Sequence, residues 1–410
     1  MANNNKTLID QPMWEQLVNG PANSAAAVAF VDDNERFAYI MYSATSFWCY
    51  DTWAGTWQQL ANPPGGTLAA GSCMLFIRQI GTQLNGKVYG SVYAFLAAGA
   101  SVTFYKYDIA TNVWSAALSV VNIPAAFGTD GRLICPEPAF NGYAGGYHSA
   151  VALNTITSSP GASQGATSIP VNALPLDLPS GAVLNFGTNA APIWAVLTAS
   201  AAAAATSITV SALIAAVPAA STAYFYSDMF LFGNNAAVVY RYNFNTALWA
   251  LTSANAANPA IPAVTGTLGA GHVVCWLPGS GDANALNRLV IMRGTATSTM
   301  YEYDLVSNTF STVTYYPATE TFTTGTCSAI RQDGNGKNVN LVLQKDITGR
   351  IFEFTPANRR MMPKATQYLV TSGAALVGDR MFCLRSTDGV EYVYMIPSTS
   401  SYFLRTGLFF

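Results

Sequence analysis

Along most of this chain apolar and polar residues alternate with a period of two, the pattern of strands that bury one face. Val102, Phe104 and Lys106 alternate with Thr103, Tyr105 and Tyr107, and the strand then runs into a polar turn. After each turn a large apolar residue opens a short second strand. Tyr50 precedes Trp57, Tyr107 precedes Trp114, Tyr242 precedes Trp249 and Tyr303 precedes Phe310, always by seven positions. Phe354 and Met361 keep that interval, and Tyr394 and Tyr402 stretch it by one. The turn repeats too: Tyr107-Asp108-Ile109-Ala110-Thr111-Asn112 reads like Tyr303-Asp304-Leu305-Val306-Ser307-Asn308. Asn112, with Gly55 and Asn308 at the matching places, suits a left-handed backbone. The pattern predicts hairpins whose two large side chains face each other across the pair and pack neighbouring sheets together.

A second element recurs upstream of the hairpins. Gly65-Gly66-Thr67-Leu68-Ala69-Ala70-Gly71 resembles Gly266-Thr267-Leu268-Gly269-Ala270-Gly271, with Thr324-Gly325-Thr326-Cys327 as a shorter echo. Small residues suit inner strands where backbones approach closely. A recurrence of roughly 40–60 residues built this way signals radially repeated sheets. Small inner strands followed by a Tyr-Asp hairpin ending in Trp resemble the kelch repeat over about residues 25–145 and 227–400. The double glycine usual in that repeat is kept at Gly65-Gly66 and Gly145-Gly146. The N-terminus adds an outer strand before any inner one, since Trp14-Glu15-Gln16-Leu17-Val18 parallels Trp57-Gln58-Gln59-Leu60-Ala61. The expectation is an all-β, six-bladed β-propeller closed by its N-terminal strand, which leaves no exposed edge. Seven blades result if Tyr402-Phe403-Leu404-Arg405 supplies an outer strand of its own.

Residues 149–226 interrupt the third blade and carry their own duplication. Ala166-Thr167-Ser168-Ile169-Pro170-Val171-Asn172-Ala173-Leu174 recurs as Ala205-Thr206-Ser207-Ile208-Thr209-Val210-Ser211-Ala212-Leu213, an offset of 39. Alternating Ile, Val and Leu predict short strands in a compact β module. The propeller is thus expected to occupy 1–148 and 227–410, the second part holding the rest of blade three and blades four to six. The apolar window from Trp194 to Val217 is long enough to span a bilayer. It breaks into strand patterns, however, so membrane insertion is not expected. The wording from Gly165 to Gly187 resembles small β modules carried by tailed-bacteriophage virion proteins.

Composition extends that reading. Charged residues make up 10 % of the chain and the net charge is −2, against about a quarter charged in ordinary soluble domains. A protein surrounded by neighbours in a large assembly needs less surface charge than a free monomer; export from a host with charge-poor secreted proteins would explain the composition equally well. Met1–Asp10 carries no long apolar core, which speaks against export. The six cysteines are scattered, with Cys73, Cys275, Cys327 and Cys383 on or near inner strands, and read as small buried apolar residues.

Candidate chemistry is sparse. His148 and His272 are the only histidines and lie in no metal-binding spacing, and no nucleophile elbow or phosphate loop is present; Gly334-Asn335-Gly336-Lys337 reads as a loop. Asp51, Asp108 and Asp304 recur with the hairpin and read as turn caps, and Arg359-Arg360 as a solvated hairpin tip. No catalytic, cofactor-binding or metal-binding residue is assigned. The resemblances imply a bacteriophage virion structural protein, a tail nozzle or hub or a head-attached decoration or fibre component, made in the bacterial host cytoplasm. Its expected partners are portal, adaptor, tail or capsid subunits in a symmetric homo-oligomer, without tight nucleic-acid binding. The alternative is a carbohydrate- or receptor-binding propeller that meets a host surface glycan through Trp48, Trp53 or Trp276, which lie outside the aromatic rhythm.

Overall fold

A computed structural model describes residues 15–21, 27–30, 36–69, 71–84, 87–98, 101–124, 127–134, 155–174, 183–186, 193–202, 204–225, 228–233, 237–243, 248–249, 264–277, 288–294, 296–304, 309–315, 317, 319–323, 326–332, 339–345, 350–355, 359–366, 380–385, 391–397 and 403–407. The fold is all-β and propeller-like, and among the described residues no helix is long and apolar enough to cross a membrane.

Strand β1 (Glu15–Gln16) stands apart from the sheet that follows it. The first sheet orders β2 (Ala27–Phe30), β3 (Phe37–Ser43), β4 (Ser46–Asp51) and β5 (Thr56–Gln59). The second orders β6 (Cys73–Leu84), β7 (Lys87–Ala98), β8 (Ser101–Asp108) and β9 (Val113–Trp114). The third begins with β10 (Gly131–Ile134), after which come β11 (Thr155–Thr157), β12 (Ser168–Pro170), β13 (Val183–Asn185), β14 (Trp194–Val196), β15 (Ser207–Thr209) and β16 (Thr222–Phe225) in separate sheets. It resumes with β17 (Asp228–Gly233), β18 (Val239–Asn243) and β19 (Leu248–Trp249). The fourth orders β20 (Val273–Leu277), β21 (Arg288–Met292), β22 (Thr299–Asp304) and β23 (Thr309–Thr314). The fifth orders β24 (Cys327–Gln332), β25 (Val339–Lys345), β26 (Arg350–Thr355) and β27 (Arg360–Thr366).

Five antiparallel sheets therefore run in chain order from first to fourth strand, where the repeat led us to expect six or seven such blades. The over-count has a definite source. Tyr50↔Trp57, Tyr107↔Trp114, Tyr242↔Trp249, Tyr303↔Phe310 and Phe354↔Met361 are all register partners on third and fourth strands. Tyr394 is different. It lies on β29 (Glu391–Ile396), the second strand of a composite sheet made with β28 (Arg380–Arg385) and β30 (Leu404–Gly407), and it pairs with Phe382 and Arg405. Strand β30, the outer strand that a seventh blade requires, is the third strand here, and β1 is the fourth.

Packing follows the aromatic rhythm. Phe47 of the first sheet meets Tyr107 and Trp114 of the second at 5.0 and 5.1 Å between ring centres. Phe104 of the second meets Tyr242 and Trp249 of the third at 5.2 Å each. Phe230 of the third meets Tyr303 of the fourth at 5.9 Å. Each buried cluster thus takes one face from each of two adjacent sheets, and every such aromatic pair adds about 0.5–1.5 kcal/mol to the area buried. Hydrogen bonds repeat with the packing: Leu60 N–H donates to Phe47 O at 2.9 Å and Leu118 N–H to Phe104 O at 2.8 Å. Asn112, at φ 56°, accepts from the Tyr107 hydroxyl and from Ala61 N–H, so the turn residue also ties two sheets.

Between β10 and β17 the two duplicated sequences pair with each other. Strand β12 runs antiparallel to β15 with Ile169 opposite Ile208, and Ser168 Oγ lies 2.9 Å from Ser207 Oγ. The bridges Ser158↔Val171 and Leu197↔Val210 are the same contact in the two copies. So are Val171 N–H to Thr206 O and Val210 N–H to Thr167 O, both 2.9 Å. The copies are related by a pseudo-two-fold axis and enclose their own core of Ile156, Ile169, Leu184, Ile208 and neighbours.

Candidate functional site

Turns leading into inner strands bring polar side chains together. Ser72, Asp130, His272 and Thr326 each directly precede an inner strand, and Arg380 opens another; all five are buried. Three of these turns share one geometry, with Ser72, His272 and Thr326 donating N–H to the carbonyl three residues back at 2.8–3.1 Å. Close approach between sheets explains the neighbouring small residues. A Cβ on Gly131 would lie 2.0 Å from Gly71 O, and one on Gly271 (φ +81°) would lie 1.8 Å from Thr323 O.

Charged groups here act as links between sheets. Asp130 Oδ2 accepts from Gly271 N–H at 2.8 Å, and its Oδ1 lies 3.1 Å from Arg132 Nη2. Arg132 Nη2 also donates to Thr326 O at 3.2 Å, so one side chain of the third sheet reaches the fifth. Arg380 of the composite sheet donates to Ser72 O beside the second at 3.0 Å. Burial first, and the like charge of Arg132 second, hold the Arg380 guanidinium below its ordinary pKa.

His272 sits fully buried within this cluster. Nδ1 lies 3.1 Å from Gly269 O, which can only accept, so Nδ1 carries the proton and Nε2 is left as a buried acceptor with no hydrogen-bond partner. Burial lowers the imidazole pKa more than Asp130 raises it. The ring is therefore neutral, and its 3.7 Å approach to Asp130 is not an ion pair. Cys73, whose thiol burial pushes up to about 12, stays protonated at neutral pH. The arrangement is a structural hub with a neutral histidine, in keeping with the packed role read for His272.

Other sequence candidates lie apart from the hub. Asp51 accepts from Trp53 N–H and Ala54 N–H, and Asp108 from Thr111 N–H, as turn caps do. Arg359 is not a free tip: it donates to buried Glu302 of the preceding sheet through Nε and Nη2 at 2.7 and 3.0 Å. Trp48 is half-buried and donates to Ser46 Oγ, whereas Trp53 is exposed at the first hairpin tip. Trp276 pairs through its backbone with Leu289; its side chain, like His148, Gly145-Gly146, Asn308 and Gly334–Lys337, lies outside the described residues. Asp130, Arg132, Arg380 and Arg36 were not singled out from the sequence, although Gly-Ser72-Cys and Gly-His272-Val mark two of the hub turns.

No protein-family model and no curated protein matches this chain. Among solved structures it is similar to AofleA from Arthrobotrys oligospora at 10 % identity and TM-score 0.44, over 96 % of this chain and 86 % of that one. It is also similar to an auxiliary nutrient binding protein from Bacteroides thetaiotaomicron at 8 % identity and TM-score 0.45, over 97 % and 77 %. U3-55K is similar at 9 % identity and TM-score 0.39, over 97 % and 100 %. Likenesses at these scores carry no functional argument.

Proposed function

We propose that the chain is a non-enzymatic assembly scaffold, a structural component of a bacteriophage virion, built as a propeller-like ring closed by β1 with a β module set into its third blade. The observation that carries the scaffold reading is the apolar rim. Val113 on β9, Leu248 on β19 and Met362 on β27 are large exposed apolar side chains on the outer strands of three different sheets, and Val18 is exposed just beyond β1. Single exposed residues of this kind are ordinary. Repeated around outer strands of a chain with few charges, they favour burial against neighbouring subunits.

Ring closure draws support from repeated bonds. Trp57 Nε1 donates to Val18 O, as Trp114 Nε1 donates to Ala61 O one sheet further on. Leu17 N–H donates to Phe403 O at 2.8 Å, the counterpart of the Leu60 and Leu118 bonds. The duplicated β module, with a core of its own, serves in this reading as a contact element for portal, adaptor, tail or capsid partners. Arg132 and Arg380 reach between sheets and tie the inner turns together, in keeping with a rigid docking body.

The test is assembly by rim variants. Val113→Asp and Leu248→Asp should leave the thermal transition within about 1 kcal/mol of the parent, as expected of exposed sites, while lowering incorporation into particles. Unchanged incorporation of both variants refutes the rim as a contact surface.

A further inference from the structure

We propose that the hairpin tip of the first sheet is a binding platform for the apolar face of a neutral pyranose, with Trp53 as the stacking surface. Among the described residues Trp53 is the exposed aromatic, at 46 %, in a fold whose other large rings are buried or half-buried. The matching position of the next hairpin is Ala110, so the repeat itself does not require a large ring here. The indole is held in place from behind. The Arg36 guanidinium lies 4.9 Å from its ring centre, and the Trp53 backbone N–H donates to Asp51 Oδ1 at 2.9 Å, which fixes the turn that carries it. Arg36 is fixed in turn by Phe37 at 4.7 Å and by Asp51, which accepts from Nε and Nη2 at 2.5–3.0 Å.

Three features of this stack select the ligand. A flat, rigid indole loses little conformational freedom when a ring of C–H groups lies on it. Arg36 spends Nε and Nη2 on Asp51 and leaves Nη1 free of hydrogen bonds among the described residues, a donor at the platform's edge for a sugar hydroxyl. The Arg36 charge is balanced by Asp51, so among the described residues the platform offers no uncompensated cation for a sialic acid or uronate and no uncompensated anion for an amine. A hydroxyl-rich, uncharged ring with one apolar face fits that description. The inference stands apart from the scaffold reading, since it concerns the isolated chain.

Saturation-transfer NMR on the full chain tests it, with methyl pyranosides and neutral and sialylated oligosaccharides as probes at millimolar concentration. Transfer to the C–H protons of one pyranose face is expected for neutral sugars. Trp53→Ala should weaken the interaction about tenfold or more, Trp53→Phe should retain part of it, and Trp48→Phe should leave it unchanged, each variant first shown to keep the parent thermal transition. No transfer to any neutral sugar, transfer to sialylated probes alone, or an unaltered signal in Trp53→Ala overturns the proposal.

Discussion

Arg405 Nε donates to Glu15 Oε2 at 2.7 Å, joining residues 390 positions apart in the chain. The pair sits where β1 meets β30, with Glu15 and Arg405 as direct register partners. Both side chains reach solvent, so the ion pair contributes no more than about 1 kcal/mol. The strand matters more than the charge. Glu15→Gln should shift the unfolding midpoint only slightly, whereas deleting residues 1–20 should lower it strongly and promote aggregation by exposing the β30 edge. Thermal unfolding with light scattering checks both; equal, small effects would refute a structural role for β1.

Trp114 joins two sheets by packing and by a hydrogen bond. Its ring meets Phe47, and Nε1 donates to Ala61 O at 2.7 Å. Trp114→Ala should cost about 3–5 kcal/mol, measured by denaturant unfolding. Trp114→Phe should recover most of the packing and lose the bond, worth about 1 kcal/mol. A loss under about 1 kcal/mol for the alanine variant would mean the sheets do not depend on this face.

The rhythm that predicted these contacts was legible because each hairpin is local: seven residues fix both the turn and the facing pair. Tyr394 misled for the same reason. Its spacing from Tyr402 mimics a hairpin, but its partners Phe382 and Arg405 come from flanking strands, and the outer strand comes from the other chain end. The hub was largely illegible. Asp130, Arg132 and Arg380 meet groups from distant sheets, and no local pattern announces a contact such as Arg132 with Thr326. Asp51 caps its turn as the local pattern predicts, but its ion-pair partner Arg36 lies across the hairpin, where no local pattern announces it.

The hub should make stability depend on pH through His272. Burial lowers its folded-state pKa below the ordinary value. A histidine of this kind contributes stability above its unfolded pKa of about 6.5 and loses it as pH falls below that point. Folding stability should therefore decline below about pH 6.5, by at most about 1.4 kcal/mol per pH unit from this group. His272→Gln should flatten that part of the profile. An identical slope in the variant would show that the imidazole is not buried in its neutral form.

Asp130→Asn should be costly at neutral pH. The change removes the carboxylate beside Arg132 and weakens the acceptor for Gly271 N–H. Loss of one member of a buried charged pair costs about 3–5 kcal/mol. Chemical denaturation measures it, and a change below about 1 kcal/mol would contradict the linking role given to the hub.

The pseudo-two-fold axis makes a symmetric prediction. Ile169 and Ile208 are both fully buried and directly opposed. Ile169→Ala and Ile208→Ala should each destabilise their region by about 2–5 kcal/mol and should not be additive when combined. Hydrogen exchange at the Val171 and Val210 amides reads this directly. Strongly unequal effects would contradict the pairing of the two copies.

The scaffold claim is tested most directly by the native mass and symmetry of the assembled protein. A chain of 43.4 kDa that lives by its rim contacts should appear in several symmetric copies within a particle, or associate through its outer strands at high concentration. A stable monomer at millimolar concentration, absent from any particle, would contradict the account.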